Sequence, residues 1–117
     1  MSAIGVPLPE ILEAVEVARE RGWVIERQYW LDRIDGRNCC CPLGALLVQC
    51  NLDQRPESDI DAEEVARRLG IDASWAEGFA DGFDGNISMP SLKAVLSLYN
   101  EGHTAGREAR GAIVVDS

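Results

Sequence analysis

Apolar and polar residues follow a helical period along most of the chain. In the segment EILEAVEVARERG, apolar residues recur every three or four positions and charged residues fill the other face. Pro9 suits the first turn of a helix, and Gly22 suits its end. We therefore predict a helix over residues 9–21.

Three later helices are predicted from the same spacing. The first is PLGALLVQC, which begins at Pro42, and the second is AEEVARRL, which ends before Gly70. The third is SWAEGFADGF, whose repeated glycines indicate close approach by another backbone, within one chain or between two. A last helix is predicted from Pro90 to about Arg110, with its second half weakened or bent by Gly102 and Gly106.

The segment GWVIERQYWLDRIDGRN fits two structures. It is rich in residues that favour strands, and Asp35-Gly36 is a turn dipeptide typical of hairpins. A helix is an alternative for its first half. We favour a helix over residues 23–28 and a small hairpin around residues 30–39.

These elements predict a mainly α fold, a single compact domain over residues 1–117 with about five helices and a possible small β-hairpin near residues 30–39. A chain of 117 residues is the length of one ordinary domain. With 46% of its residues apolar, it can bury a core of its own.

The charge of the chain is strongly negative. It has 20 acidic and 11 basic residues, a net charge of −9, and the basic residues are scattered. Such a chain is repelled by nucleic acid and by anionic membranes, so we expect neither as a partner. We find no apolar run of membrane-spanning length and no signal-peptide pattern, so we expect a cytoplasmic protein with reduced cysteines.

The run Cys39-Cys40-Cys41, with Cys50 further on, allows a metal site. Cys39, Cys41, Cys50 and His103 are the candidate ligands, although no C-x₂₋₄-C pair of the kind found in zinc sites is present. Thiol or redox chemistry is a second possibility, because Cys41 precedes a helix start where the helix dipole lowers a thiol pKa.

Core packing is the interpretation that we favour for the cysteines. Cysteine is often buried and packs like a small hydrophobic residue. Cys50 shares one helical stripe with Leu43, Leu46 and Leu47. We therefore expect no metal and no cofactor, with the metal or thiol-redox protein kept as an alternative.

Aromatic residues provide the candidate contact surface. Trp75, Phe79 and Phe83 lie at i, i+4 and i+8 of one predicted helix, a spacing typical of a core face. Any part of that face left exposed would bind a protein partner or a second copy. The region of Trp23 and Trp30 is the other candidate for a protein-contact surface.

Two resemblances can be stated. Residues 35–47, DGRNCCCPLGALL, resemble a D-G-x-x-C-x-L-G-A-L turn and helix found in small uncharacterised bacterial and phage proteins, in which a Trp-containing segment precedes it. This resemblance implies a mainly helical fold and transfers no catalytic residue.

The run VARRLGIDASWAEGFADGF resembles a helix-turn-helix of DNA-binding domains. Its second helix, however, carries Glu77 and Asp81 and has no basic side chain to read DNA.

We therefore predict a small acidic protein-interaction or regulatory domain that is not an enzyme, with another protein or a second copy of the chain as its candidate partner. No nucleophile–base pattern or phosphate-binding loop is apparent in the sequence. Besides the cysteine-based alternative, an acidic inhibitor that mimics nucleic acid remains a second alternative, since such inhibitors present rows of carboxylates.

Overall fold

A computed structural model describes residues 4–54 and 60–114, which form five helices and a small three-stranded sheet. This confirms the mainly α fold with a small β-hairpin that the sequence predicts. In chain order the elements are α1 (Leu8–Glu20), β1 (Val24–Ile25), β2 (Leu31–Ile34), β3 (Arg37–Cys40), α2 (Pro42–Gln49), α3 (Ala62–Leu69), α4 (Ala73–Asp84) and α5 (Leu96–Ala112). None of the described helices is both long and apolar enough to cross a membrane.

The hairpin lies where the sequence predicts it. Strands β2 and β3 pair antiparallel, with Leu31 opposite Cys40 and Ile34 opposite Arg37. Asp35 and Gly36 form the turn, and both have positive φ, 51° and 80°. A two-residue turn with two positive φ values matches the twist of a hairpin, which is why an Asp-Gly pair suits this position.

The predicted helix over residues 23–28 is wrong. Val24 and Ile25 form strand β1, which pairs in parallel with Cys39 and Cys40 at the other edge of β3. The backbone N–H of Glu26 continues the pairing by donating to the Cys40 carbonyl at 2.9 Å. This pairing buries Ile25 completely in the core, a gain that local helix propensity cannot offset.

Helix α2 runs through the centre of the core. All of its residues from Pro42 to Val48 are buried, so the helix is apolar on every side. It packs between α1 and α3, and its start lies against the chain before β2. At Gly44 a Cβ atom would overlap the Trp30 carbonyl oxygen, so only glycine allows this approach.

Helices α4 and α5 make the most extensive contact in the fold, and they touch backbone to backbone. Each carries a glycine pair four residues apart, Gly78 with Gly82 and Gly102 with Gly106. A Cβ on any of the four would overlap a carbonyl oxygen of the other helix. The close approach by another backbone that the sequence predicts for α4 therefore occurs within one chain, and Gly102 and Gly106 are packing positions in α5.

The same contacts show that α4 and α5 are parallel. Gly78 faces the Tyr99 carbonyl, and Gly82 faces the His103 carbonyl. The contact positions therefore advance by four residues in the same direction along both helices. Parallel neighbours require the chain to travel back along the full length of the first helix before the second begins. Residues 85–95 make that return.

The last helix therefore begins later than predicted. It starts at Leu96, and the predicted helix from Pro90 onward is wrong for residues 90–95. Residues 90–95 lie on the return, where Ser91 is bonded to Glu77 and Val95 to Ser74, so the chain still runs against the direction of α4 there. Because α5 runs in the same direction as α4, these residues cannot form its first turns.

A substitution in α5 tests the glycine contact. We expect Gly106→Ala to lower the free energy of unfolding by about 3 kcal/mol, because its Cβ would overlap the Phe79 carbonyl oxygen. Gly111→Ala is the matched control in the same helix. It meets no atom within 4 Å and should raise stability by up to about 1 kcal/mol. Urea denaturation of both variants measures the difference, and equal stabilities would contradict the contact.

Candidate interaction surface

The aromatic residues of α4 belong to the core. Phe79 and Phe83 are fully buried and Trp75 is 5% exposed, with ring centroids 5.3 Å apart for Trp75–Phe79 and 6.3 Å for Phe79–Phe83. The core face predicted from their spacing is confirmed, so these three side chains offer no exposed contact surface. Trp23 and Trp30 are half-buried against the same core.

Three of the cysteines are buried and the fourth is not. Cys40 and Cys41 lie in the hydrophobic core, as the packing interpretation predicts. Cys39 is also buried, but strand alternation places it on the outer face of the sheet, where it lines a groove with Glu26 and Arg37. The predicted buried stripe ends before Cys50, which is exposed because α2 stops at Gln49.

The predicted metal ligands are not brought together. Cys41 and Cys50 flank the eight residues of α2, and nine residues of helical rise separate them by roughly 13 Å. His103 lies on α5, with its Nε2 atom 3.4 Å from the Asn86 carbonyl oxygen. Within residues 4–54 and 60–114, no three His, Cys, Asp or Glu side chains are placed to hold a metal ion.

The prediction of a lowered pKa at Cys41 is also wrong. Burial raises the pKa of the Cys41 thiol to about 12, and this outweighs the lowering by the amides of Gly44 and Leu43 at the helix start. Burial likewise raises the thiol pKa of Cys39 and Cys40. All three are neutral thiols at pH 7, and a neutral thiol is a poor nucleophile.

A different feature of the surface stands out, the return segment between α4 and α5. We name residues 86–95 the strap. It runs antiparallel to both helices, and side chains of α4 hold its backbone near the end: the Val95 N–H donates to Ser74 Oγ at 2.8 Å, and the Ser91 N–H donates to a Glu77 carboxylate oxygen at 3.4 Å. Near its start, the Asn86 N–H donates to the Asp81 carbonyl at 3.0 Å.

Tyr99 anchors the middle of the strap from beneath. Its side chain is fully buried, and its hydroxyl accepts from the Met89 N–H at 3.0 Å while it donates to the Asp81 carboxylate. Burial, followed by the hydrogen bond to Asp81, raises the pKa of Tyr99. The hydroxyl therefore keeps its proton and serves both bonds at neutral pH.

The strap turns its large apolar side chains to solvent. Leu92 is fully exposed, and Ile87 and Met89 are 83% and 76% exposed. Val95 and Leu96, which follow along the chain, are 52% and 61% exposed. Single exposed apolar residues are ordinary, but five within ten residues form the kind of patch that marks an interaction site.

The spacing of apolar residues concealed this patch in the sequence. Leu92, Val95, Leu96 and Tyr99 are three or four residues apart, the spacing of a buried stripe on one helix. Only Tyr99 is buried. A second signal was available, because residues 85–100 contain no Asp or Glu and carry only one charged side chain, Lys93, in a chain of net charge −9.

The thiols provide a test of the cysteine environments. We expect one thiol, Cys50, to react with Ellman's reagent in the native protein, and the other three to react only in denaturant, because burial shields them and keeps them protonated. Cys50→Ser should abolish the native reaction. Rapid reaction of a second native thiol would contradict this assignment.

Removing one hydroxyl tests the anchor beneath the strap. Tyr99→Phe leaves the Met89 N–H and the Asp81 carboxylate without this partner, so we expect a loss of about 1–3 kcal/mol in the free energy of unfolding. Tyr29→Phe is the control, since the described residues give its hydroxyl no hydrogen-bond partner. An equal loss of unfolding free energy in the two variants would show that the hydrogen bonds of the Tyr99 hydroxyl do not stabilise the strap.

Comparison with known proteins identifies no relative of this chain. The chain matches no protein-family model, no curated protein and no solved structure. The resemblance of residues 35–47 to small bacterial and phage proteins therefore stays a prediction.

Proposed function

We propose that this protein is a small, non-enzymatic interaction domain that binds a protein partner through the strap. The observation that carries the proposal is the exposure of five large apolar side chains, Ile87, Met89, Leu92, Val95 and Leu96, on a backbone that is already fixed. The contact surface differs from the two aromatic regions that the sequence suggests.

The energetics of the strap favour binding. Fully burying a side chain such as Leu92 or Ile87 contributes roughly 1.5–3 kcal/mol relative to leaving it in water. Ordering a loop on binding costs free energy, and hydrogen bonds to Ser74, Glu77 and Tyr99 have already ordered this one. On binding a partner with an apolar surface, most of the free energy from burying these side chains would therefore contribute to affinity.

The chemistry of the strap also bears on the alternatives. A mimic of nucleic acid would place carboxylates on its contact face, whereas residues 85–100 contain none. A thiol enzyme would need a thiolate at neutral pH, whereas burial keeps the thiols of the cysteine run protonated. The strap therefore favours an apolar contact with another protein.

Site-specific photo-crosslinking in the host cell tests the proposal. A photoreactive amino acid replaces Leu92 in the strap, and the control carries it at Glu63, an exposed position on α3. We expect a discrete crosslinked protein from position 92 only. The captured protein, purified, should bind the wild-type chain at least about tenfold more tightly than Leu92→Asp, because the aspartate would be buried without a partner.

The stability of Leu92→Asp is the control for this comparison. Leu92 is fully exposed, so the substitution should leave the free energy of unfolding within about 0.5 kcal/mol of the wild type. No crosslink at position 92 above that at position 63, or equal binding by the two chains, would contradict the proposal.

A further inference from the structure

We infer that the partner of the strap is a second copy of this chain, with two straps facing each other across a two-fold axis. The inference rests on the proposed function and adds the identity of the partner. In such an interface each copy contributes the same surface, so the surface must be compatible with itself in both shape and charge.

Charge is the observation that favours a second copy. Each chain carries a net charge of −9, so two copies repel each other over most of their surfaces. The other long stretch without an acidic residue, residues 36–52, is buried over most of its length. Residues 85–100 are acid-free and mostly exposed, so here two copies approach with the least repulsion.

A basic partner fits this surface less well. Such a partner would be held by carboxylates around the apolar patch, but Glu77 and Asp81 lie beneath the strap and accept hydrogen bonds from Ser91 and Tyr99. The single charge on the strap itself, Lys93, is positive and would repel a basic surface. A partner whose contact is apolar and free of acidic side chains is favoured, and the strap is itself such a surface.

The size of the patch sets the strength of the association. A stable interface takes about 20–30 residues from each side, and the strap with the start of α5 offers about half of that. We therefore expect a reversible dimer that forms in the micromolar range rather than an obligate one. The monomer has its own closed core, which is consistent with exchange between the two states.

Sedimentation equilibrium of the full chain tests the inference. Samples from about 10 to about 500 μM are measured at low and high salt, with a reductant present because the exposed Cys50 can form a disulfide between copies. The mean mass should rise from that of the monomer towards that of the dimer with concentration. Salt should strengthen the association, because it screens the repulsion between two negative chains and favours apolar contact.

Two substitutions and a control locate the interface. Leu92→Asp should remain monomeric over the whole range, and Lys93→Glu should weaken the dimer at low salt and recover at high salt. Val114→Asp is the matched control, since Val114 is 78% exposed but lies outside the strap. It should dimerise like the wild type.

Each outcome decides between the claims. A wild-type chain that stays monomeric at every concentration overturns the inference, and the crosslinking experiment then decides separately whether the strap binds another protein. A dimer that persists unchanged in Leu92→Asp overturns the assignment to the strap. An association that salt weakens overturns the charge argument, because attraction between opposite charges would then hold the complex.

Discussion

The contact between the glycine faces of α4 and α5 determines the shape of the second half of the chain. Because Gly78, Gly82, Gly102 and Gly106 carry no Cβ, each lies directly against a carbonyl oxygen of the other helix, and the two backbones meet in a parallel arrangement. Parallel helices leave the chain no short connection. The segment between them must run back along α4, and this requirement produces the strap.

The strap could not have been buried by the same elements that hold it. Its backbone is fixed by polar groups from below: Ser74 and Glu77 on α4, and Tyr99 on α5. The inner side of the segment therefore makes hydrogen bonds, and its apolar side chains remain on the outer side in water. An apolar surface on an ordered backbone is the feature that links this fold to a function in binding.

Local signals in the sequence predict much of the first half of the fold. Pro9 in the first turn of α1, the Asp35-Gly36 turn and Pro42 at the first position of α2 act within a few residues, so their elements are found where expected. Strand β1 was missed because it exists only by pairing with β3, some fifteen residues later. Local propensity carries no information on such a pairing.

The candidate site was missed for a related reason. Leu92, Val95, Leu96 and Tyr99 have helical spacing, and only the parallel packing of α4 and α5 separates the buried Tyr99 from the other three. The alternative of a reactive Cys41 fails for a similar reason, because the helix dipole at Cys41 is visible in the sequence whereas the burial that outweighs it is not. Depth of burial depends on elements far away in the chain.

Hydrogen exchange of individual strap amides, resolved by NMR, tests most directly whether the strap is an ordered backbone with an exposed apolar face. The amides of Met89 and Val95, bound to Tyr99 and Ser74, should exchange far more slowly than those of Ile87 and Leu92, for which the described residues supply no acceptor. Uniformly fast exchange across residues 86–95 would show a disordered loop and contradict the account.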